Sequence, residues 1–106
     1  MARSVYSKFF YGGNITGSGV TTMYTVPTGY TAVVRDIDVC RNDSGAQRSS
    51  FDAEDDAGGF IHWLTSTQYA VFAWRGRQVF VPGSRFGVYQ SGGDWSYRVS
   101  GYLLAA

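Results

Sequence analysis

Residues 30–41 decide the fold class, and they read Tyr30-Thr31-Ala32-Val33-Val34-Arg35-Asp36-Ile37-Asp38-Val39-Cys40-Arg41. The apolar positions change phase within this stretch, because Ala32 and Val34 are even-numbered whereas Ile37 and Val39 are odd-numbered. Side chains of a strand alternate between its two faces, so both pairs can reach one core only if a bulge or a sharp bend interrupts the strand between them. We therefore predict one long strand that passes a corner of a β-sandwich.

Glycine and proline divide the rest of the chain into short segments at fairly even intervals, which is typical of an antiparallel all-β domain. Turn signals include Gly12-Gly13-Asn14 and Arg75-Gly76, and no window has the apolar spacing of a long helix. The predicted strands are residues 5–11, 20–26, 30–41, 48–52, 60–65, 69–74, 77–81, 85–90 and 95–104. We expect a single domain over residues 1–106, an all-β antiparallel two-sheet β-sandwich of jelly-roll-like topology.

The composition supports this class and restricts the partners. The chain of 106 residues has 8 Tyr, 7 Phe and 3 Trp, and aromatic residues favour strands. Charged residues are only 16% and the net charge is +1, so long-range attraction to nucleic acid or to an anionic membrane has no support. The nine basic residues are scattered and eight acidic ones offset them, which predicts no nucleic-acid partner. No apolar stretch approaches the roughly 20 residues of a membrane span, so we expect no membrane partner and no signal peptide.

Metal and disulfide chemistry has little to build on. One cysteine, Cys40, and one histidine, His62, exclude an internal disulfide, a cysteine-rich zinc site and a histidine cluster. The acidic segment 52–58 departs from the EF-hand pattern, because Gly58 comes one position late and Trp63 stands where the bidentate glutamate belongs. We interpret it as a solvated acidic loop, with an irregular calcium site as the alternative, and we predict no cofactor.

Catalytic machinery is not predicted either. Ser66 and Asp56 lie near His62 in sequence, but the nucleophile-elbow motif is absent and closeness in sequence does not make a triad. His62 alternates within an apolar strand, so we expect it to be structural, and Cys40 to be a small buried hydrophobe. The chain is predicted not to be an enzyme.

A host-surface glycan-binding module is the rival hypothesis. Asp94-Trp95 follows the turn Ser91-Gly92-Gly93, and exposed aromatic rings can stack on sugars while carboxylates bind hydroxyls. We prefer an inward-facing Trp95, since a sandwich of this size needs its large aromatics to fill the core.

The N-terminal segment, residues 1–13, carries aromatic residues on both faces. Strict alternation places Phe9 and Tyr11 on one face and Tyr6 and Phe10 on the other. Only one face of a strand in a small sandwich meets the core, so we expect another subunit to cover the second face. The candidate interface residues, chosen as apolar or arginine anchors, are Arg3, Tyr6, Phe10, Trp74, Arg75, Arg77 and Tyr102.

One run carries a resemblance to a known group. Residues 24–37 read Tyr24-Thr25-Val26-Pro27-Thr28-Gly29-Tyr30-Thr31-Ala32-Val33-Val34-Arg35-Asp36-Ile37. This run resembles the Y-T-V-P-x-G-x-x-A-V-V-x-D-I signature of small β-sandwich virion proteins in tailed bacteriophages, and residues 74–83 and 95–104 agree with it.

The resemblance implies a non-enzymatic structural protein of the virion, made in the bacterial host cytoplasm. A minor tail or tail-tip protein is the leading expectation, and a capsid decoration protein on the phage head is the alternative. It further implies a homo-oligomer, commonly a trimer, in contact with other tail proteins or with the major capsid protein. No catalytic, cofactor-binding or metal-binding residue follows from it.

Overall fold

The computed structural model describes residues 5–53 and 61–105. These residues form strands and turns. The strands are β1 (Val5–Thr16), β2 (Gly19–Thr25), β3 (Tyr30–Arg41), β4 (Gln47–Ala53), β5 (Ile61–Thr65), β6 (Val71–Phe80), β7 (Arg85–Gln90) and β8 (Asp94–Ala105). Two predicted turns are wrong: β1 runs through Gly12 and Gly13, and β6 runs through Arg75 and Gly76, so that two predicted strands are one.

The strands form two four-stranded antiparallel sheets. Sheet A has the order β1-β8-β3-β6, and sheet B has the order β2-β7-β4-β5. Apart from β4 and β5, neighbouring strands are not consecutive in the chain, as in the two interlocked Greek keys of an eight-stranded jelly roll. The predicted all-β, antiparallel β-sandwich is confirmed.

The predicted interruption of β3 is confirmed as a β-bulge. In the pairing of β3 with β8, Val34 lies opposite Gly101 and Asp36 lies opposite Ser100, so Arg35 has no opposite residue. The extra residue shifts the alternation of side chains by one position, so that apolar residues on both sides of the bulge point to the same face of the sheet. The apolar residues on both sides of it face the core and are at most 1% exposed: Ala32, Val34, Ile37 and Val39.

Aromatic rings from both sheets fill the core around Phe86 of β7. The ring centroid of Phe86 lies 4.5 Å from that of Phe80, 5.5 Å from that of Phe51 and 5.4 Å from that of Phe10. Trp95, at the start of β8, is fully buried. Burying a side chain of this size contributes about 2 kcal/mol, so these contacts are a main source of the stability of the sandwich.

A second bulge lies in β1 and corrects one prediction. Phe9 lies opposite Ser100 and Tyr11 lies opposite Val99, so Phe10 is the extra residue. Its ring enters the core and is only 6% exposed. The prediction that Phe10 lies outside the core is therefore wrong, because the bulge breaks the strict alternation on which it was based.

A buried polar contact joins the two sheets. The Tyr97 hydroxyl of β8 lies 2.5 Å from Ser49 Oγ of β4 and donates to Gln90 Oε1 of β7 over 2.8 Å. Burial raises the pKa of the Tyr97 phenol far above its usual range, which keeps the hydroxyl protonated and able to donate. Gln90 Nε2 in turn donates to the Gly17 carbonyl oxygen over 3.0 Å.

Candidate assembly surface

The described interface candidates from the sequence all lie on sheet A. They are Tyr6 in β1, Phe10 in β1, Tyr102 in β8, and Trp74, Arg75 and Arg77 in β6. Arg3 lies outside the described residues. The strands β1 and β6 are the two edges of sheet A, and edge strands present unpaired backbone groups. Their role as interface residues stays a prediction, and Phe10 is buried.

The exposure of these candidates differs. Tyr6 is half exposed and its ring lies edge-on to Tyr30, with centroids 6.1 Å apart. Trp74 and Tyr102 are half-buried, whereas Arg75 and Arg77 are exposed. The set therefore does not form one compact patch but is spread over β1, β6 and the interior strand β8.

A groove crosses the outer face of sheet A at the level of the two bulges. All four strands of the sheet contribute to its lining, which includes Ser7, Phe9, Arg35, Asp36, Asp38, Arg75, Arg98 and Ser100. Bulges bend strands and increase their twist, and this accounts for a concave face at this level. The groove is the candidate functional site of the described residues.

Phe9 lies at the centre of the groove. It is 56% exposed although it is a large aromatic residue, and the Arg98 guanidinium lies over its ring at 5.9 Å from the centroid. A Cβ atom on Gly12 would overlap the Phe9 ring, so this glycine provides space for the ring rather than a turn. Sequence reasoning chose Phe10 and missed Phe9, because only the bulge decides which ring faces outward.

Charges surround the ring. Arg75 pairs with Asp36, at 3.1 Å from Nε to Oδ1, and with Asp38, at 2.8 Å from Nη2 to Oδ1. The hydrogen bond with Asp38 raises the pKa of Arg75 above its ordinary value. Both pairs are half exposed, and surface pairs of this kind contribute little to stability. Their main effect is to hold Arg75 along the groove wall.

Arg98 and Arg35 are the other two arginines that line the groove. Arg35 Nε donates to the Gly76 carbonyl oxygen over 2.8 Å, across the bulge. Among the residues that the structure describes, Arg98 has no ion-pair partner. Lys8, three arginine side chains and two aspartates therefore line the groove, which leaves two positive charges in excess.

A second charged group is structural. Arg41, at the end of β3, is 1% exposed, lies over the Trp95 ring and donates to the Gly45 carbonyl oxygen over 2.9 Å. Asp43 accepts from the Asp94 backbone N–H over 3.1 Å and from Arg41 Nε over 2.5 Å. These hydrogen bonds hold the pKa of Asp43 below its usual range. The cluster holds the turn between β3 and β4 against the start of β8.

Residues considered for other chemistry are dispersed. His62 is exposed on the outer face of sheet B, opposite Ser50 in the pairing of β4 with β5. Cys40 is half-buried on the outer face of sheet A rather than buried, since it lies opposite Ser96. No group of three or more His, Cys, Asp or Glu side chains within residues 5–53 and 61–105 could hold a metal ion.

Two further hypotheses concern Trp95 and the acidic segment 52–58. Trp95 faces inward as predicted, and its indole nitrogen donates to the Gly92 carbonyl oxygen over 2.9 Å, so its ring is not available to stack on a sugar. Residues 54–58 of the acidic segment lie outside the described residues. They include Asp56, the acidic residue considered beside His62.

No protein-family model matches the chain, and a search of the curated proteins finds no match. Within the described part of the chain, no helix has the length and apolar character needed to cross a membrane.

Proposed function

We propose that this chain is a non-enzymatic structural subunit of a tailed-phage virion, a minor tail or tail-tip component that assembles through sheet A. The signature-like run over residues 24–37 supports the phage assignment. The jelly-roll topology supports it by fold-level analogy, since jelly rolls recur in viral capsid proteins. A homotrimer is the proposed stoichiometry.

The exposed ring of Phe9 is the main observation that supports assembly through sheet A. Subunit interfaces characteristically have an aromatic anchor at their centre, arginine around it and a polar rim. The groove has this arrangement: Phe9 at the centre, Arg98 over its ring, and Ser100 with the paired Asp36 and Arg75 at the margin. Because 56% of the Phe9 side chain is exposed, burying the rest of it contributes about 1 kcal/mol, so a second subunit would stabilise it.

The test compares Phe9→Glu with Val20→Glu. Val20 is 62% exposed on sheet B, so it is a matched control for adding a charge at an exposed apolar position. We expect the native chain to sediment as an oligomer, Phe9→Glu to sediment as a folded monomer, and Val20→Glu to behave as the native chain. Circular dichroism verifies the fold of each variant. A monomeric native chain, or an unaltered mass for Phe9→Glu, contradicts assembly through this groove.

The position on the particle needs a separate experiment. Antibody labelling of intact virions, viewed by electron microscopy, is expected to mark the tail or tail tip. Labelling of the head instead would favour the capsid decoration protein, which would use the same surface. The absence of label from purified particles would contradict a virion protein of either kind. Binding of cell-wall glycan by the folded monomer would favour the host-surface module, for which Trp95 is not available.

A further inference from the structure

The edge strand β6 has no strand on its outer side among the described residues. It contains 10 residues, which span about 33 Å, and among the described strands it pairs with β3 alone. Its outer edge therefore has backbone N–H and C=O groups without a strand partner. The carbonyl oxygens of Trp74 and Gly76 accept hydrogen bonds from the side chains of Arg75 and Arg35. Such an edge can accept an additional strand whose backbone completes the ladder.

The side chains along this edge follow a pattern. Large apolar residues at or just beyond both ends are at least half exposed: Tyr69, Val71, Val79 and Val81. Between them lie Arg75 and Arg77. Arg75 is paired with Asp36 and Asp38, whereas Arg77 has no ion-pair partner among the described residues. The edge is thus apolar at both ends and positively charged at its centre.

A second copy of this chain fits the edge poorly. If β6 paired with β6 of a second copy in the antiparallel register centred on Gly76, Arg75 of each copy would lie opposite Arg77 of the other. Like charges opposite each other are destabilising. The other edge strands of the two sheets are β1, β2 and β5, and none of them contains an aspartate or a glutamate. No described edge strand of a second copy can therefore neutralise Arg77.

We propose that β6 accepts, by strand addition, an extended segment of a different protein that carries carboxylates at its centre and apolar side chains on either side. The carboxylates pair with Arg77, and the apolar side chains cover Val71 and Val79. This surface adjoins the groove around Phe9 and shares Arg75 with it, so the experiment below includes the Phe9→Glu background to test the two proposals independently.

The probe is a synthetic peptide as long as β6, alternating threonine and valine with two central glutamates. Its control has lysines in place of the glutamates. Amide chemical shifts and hydrogen exchange of the full-length isotope-labelled chain are followed during titration. We expect the acidic peptide to protect amides of residues 71–80 and to bind about tenfold more tightly than the basic one. The same result is expected in the Phe9→Glu background, which makes the measurement independent of self-assembly.

Charge reversal tests the role of Arg77. Arg77→Glu is expected to invert the preference between the two peptides, and Arg77→Gln to weaken binding of the acidic peptide about threefold. Arg48→Glu is the matched control, because Arg48 is an exposed arginine on sheet B. Equal binding of both peptides, protection of β1, β2 or β5 instead of β6, or protection of β6 by the native chain alone at high concentration would each overturn the proposal.

Discussion

Gly101 shows how single residues permit the bulges of this sandwich. A Cβ atom at Gly101 would overlap the Val33 carbonyl oxygen of β3, and a Cβ atom at Gly87 would overlap the Thr21 carbonyl oxygen of β2. In each case the neighbouring strand has a bulge close by, at Arg35 in β3 and between Thr22 and Tyr24 in β2. The bulged strand approaches its neighbour so closely that only glycine fits.

Replacing Gly101 by alanine is expected to lower the free energy of unfolding by about 2 kcal/mol or more, because β3 must move away from β8. Urea denaturation followed by tryptophan fluorescence measures the change. Ser100→Ala is the control, since Ser100 is the adjacent residue and lines the outer groove. Equal denaturation midpoints for Gly101→Ala and the native chain would show that a Cβ atom at this position fits beside β3.

At the scale of elements, one hydroxyl connects β8 to both β4 and β7. Tyr97 reaches from sheet A to Ser49 and Gln90 in sheet B, within a core that is otherwise mostly apolar. Because none of the three side chains is exposed, the loss of one partner leaves polar atoms of the others without a hydrogen bond. The contact thus helps to specify how the two sheets are aligned.

A double-mutant cycle tests this coupling. We expect Tyr97→Phe to cost about 2 kcal/mol and Ser49→Ala about 1 kcal/mol. The double variant should be more stable than the sum predicts, by about 1 kcal/mol, because both partners of one hydrogen bond are then absent. Tyr102→Phe, at a half-buried tyrosine on the outer face of sheet A, serves as the control and should change stability little. Strict additivity would argue against a bond between the two hydroxyls.

At the scale of the whole molecule, the first and last strands close sheet A. β1 pairs with β8 from Val5 opposite Leu104 to Thr16 opposite Asp94. The N-terminal segment is therefore part of the fold and not only an arm for assembly. Its edge and the groove residue Phe9 remain on the surface, while Phe10 completes the core.

Removal of residues 1–11 is expected to abolish cooperative unfolding, because it uncovers β8 and deletes Phe10 from the aromatic core. Differential scanning calorimetry of the truncated chain measures this. Phe9→Ser, which alters an exposed ring in the same strand, should keep a cooperative transition close to that of the native chain. A truncated chain that still unfolds cooperatively would mean that β1 is dispensable for the sandwich.

Much of the architecture could be predicted from the amino-acid sequence alone. The phase change between Val34 and Ile37 predicted the bulge in β3, and the residues on both sides of it face the core. This prediction succeeded because alternation within a strand is a local property, set by the backbone geometry of the segment itself. The all-β class followed from the same periodicity together with the turn residues.

Only the tertiary structure decided which residues reach the surface. The bulge at Phe10 exchanged the roles of Phe9 and Phe10, and Gly12 and Gly76 proved to accommodate aromatic rings instead of turns. Likewise, Arg98 lies over Phe9, whereas Arg41 is buried over Trp95. These outcomes depend on the register between strands far apart in the chain, and a register is set by pairing and core packing rather than by any local pattern. The position of β6 at an open edge of sheet A was decided in the same way, by strand order alone.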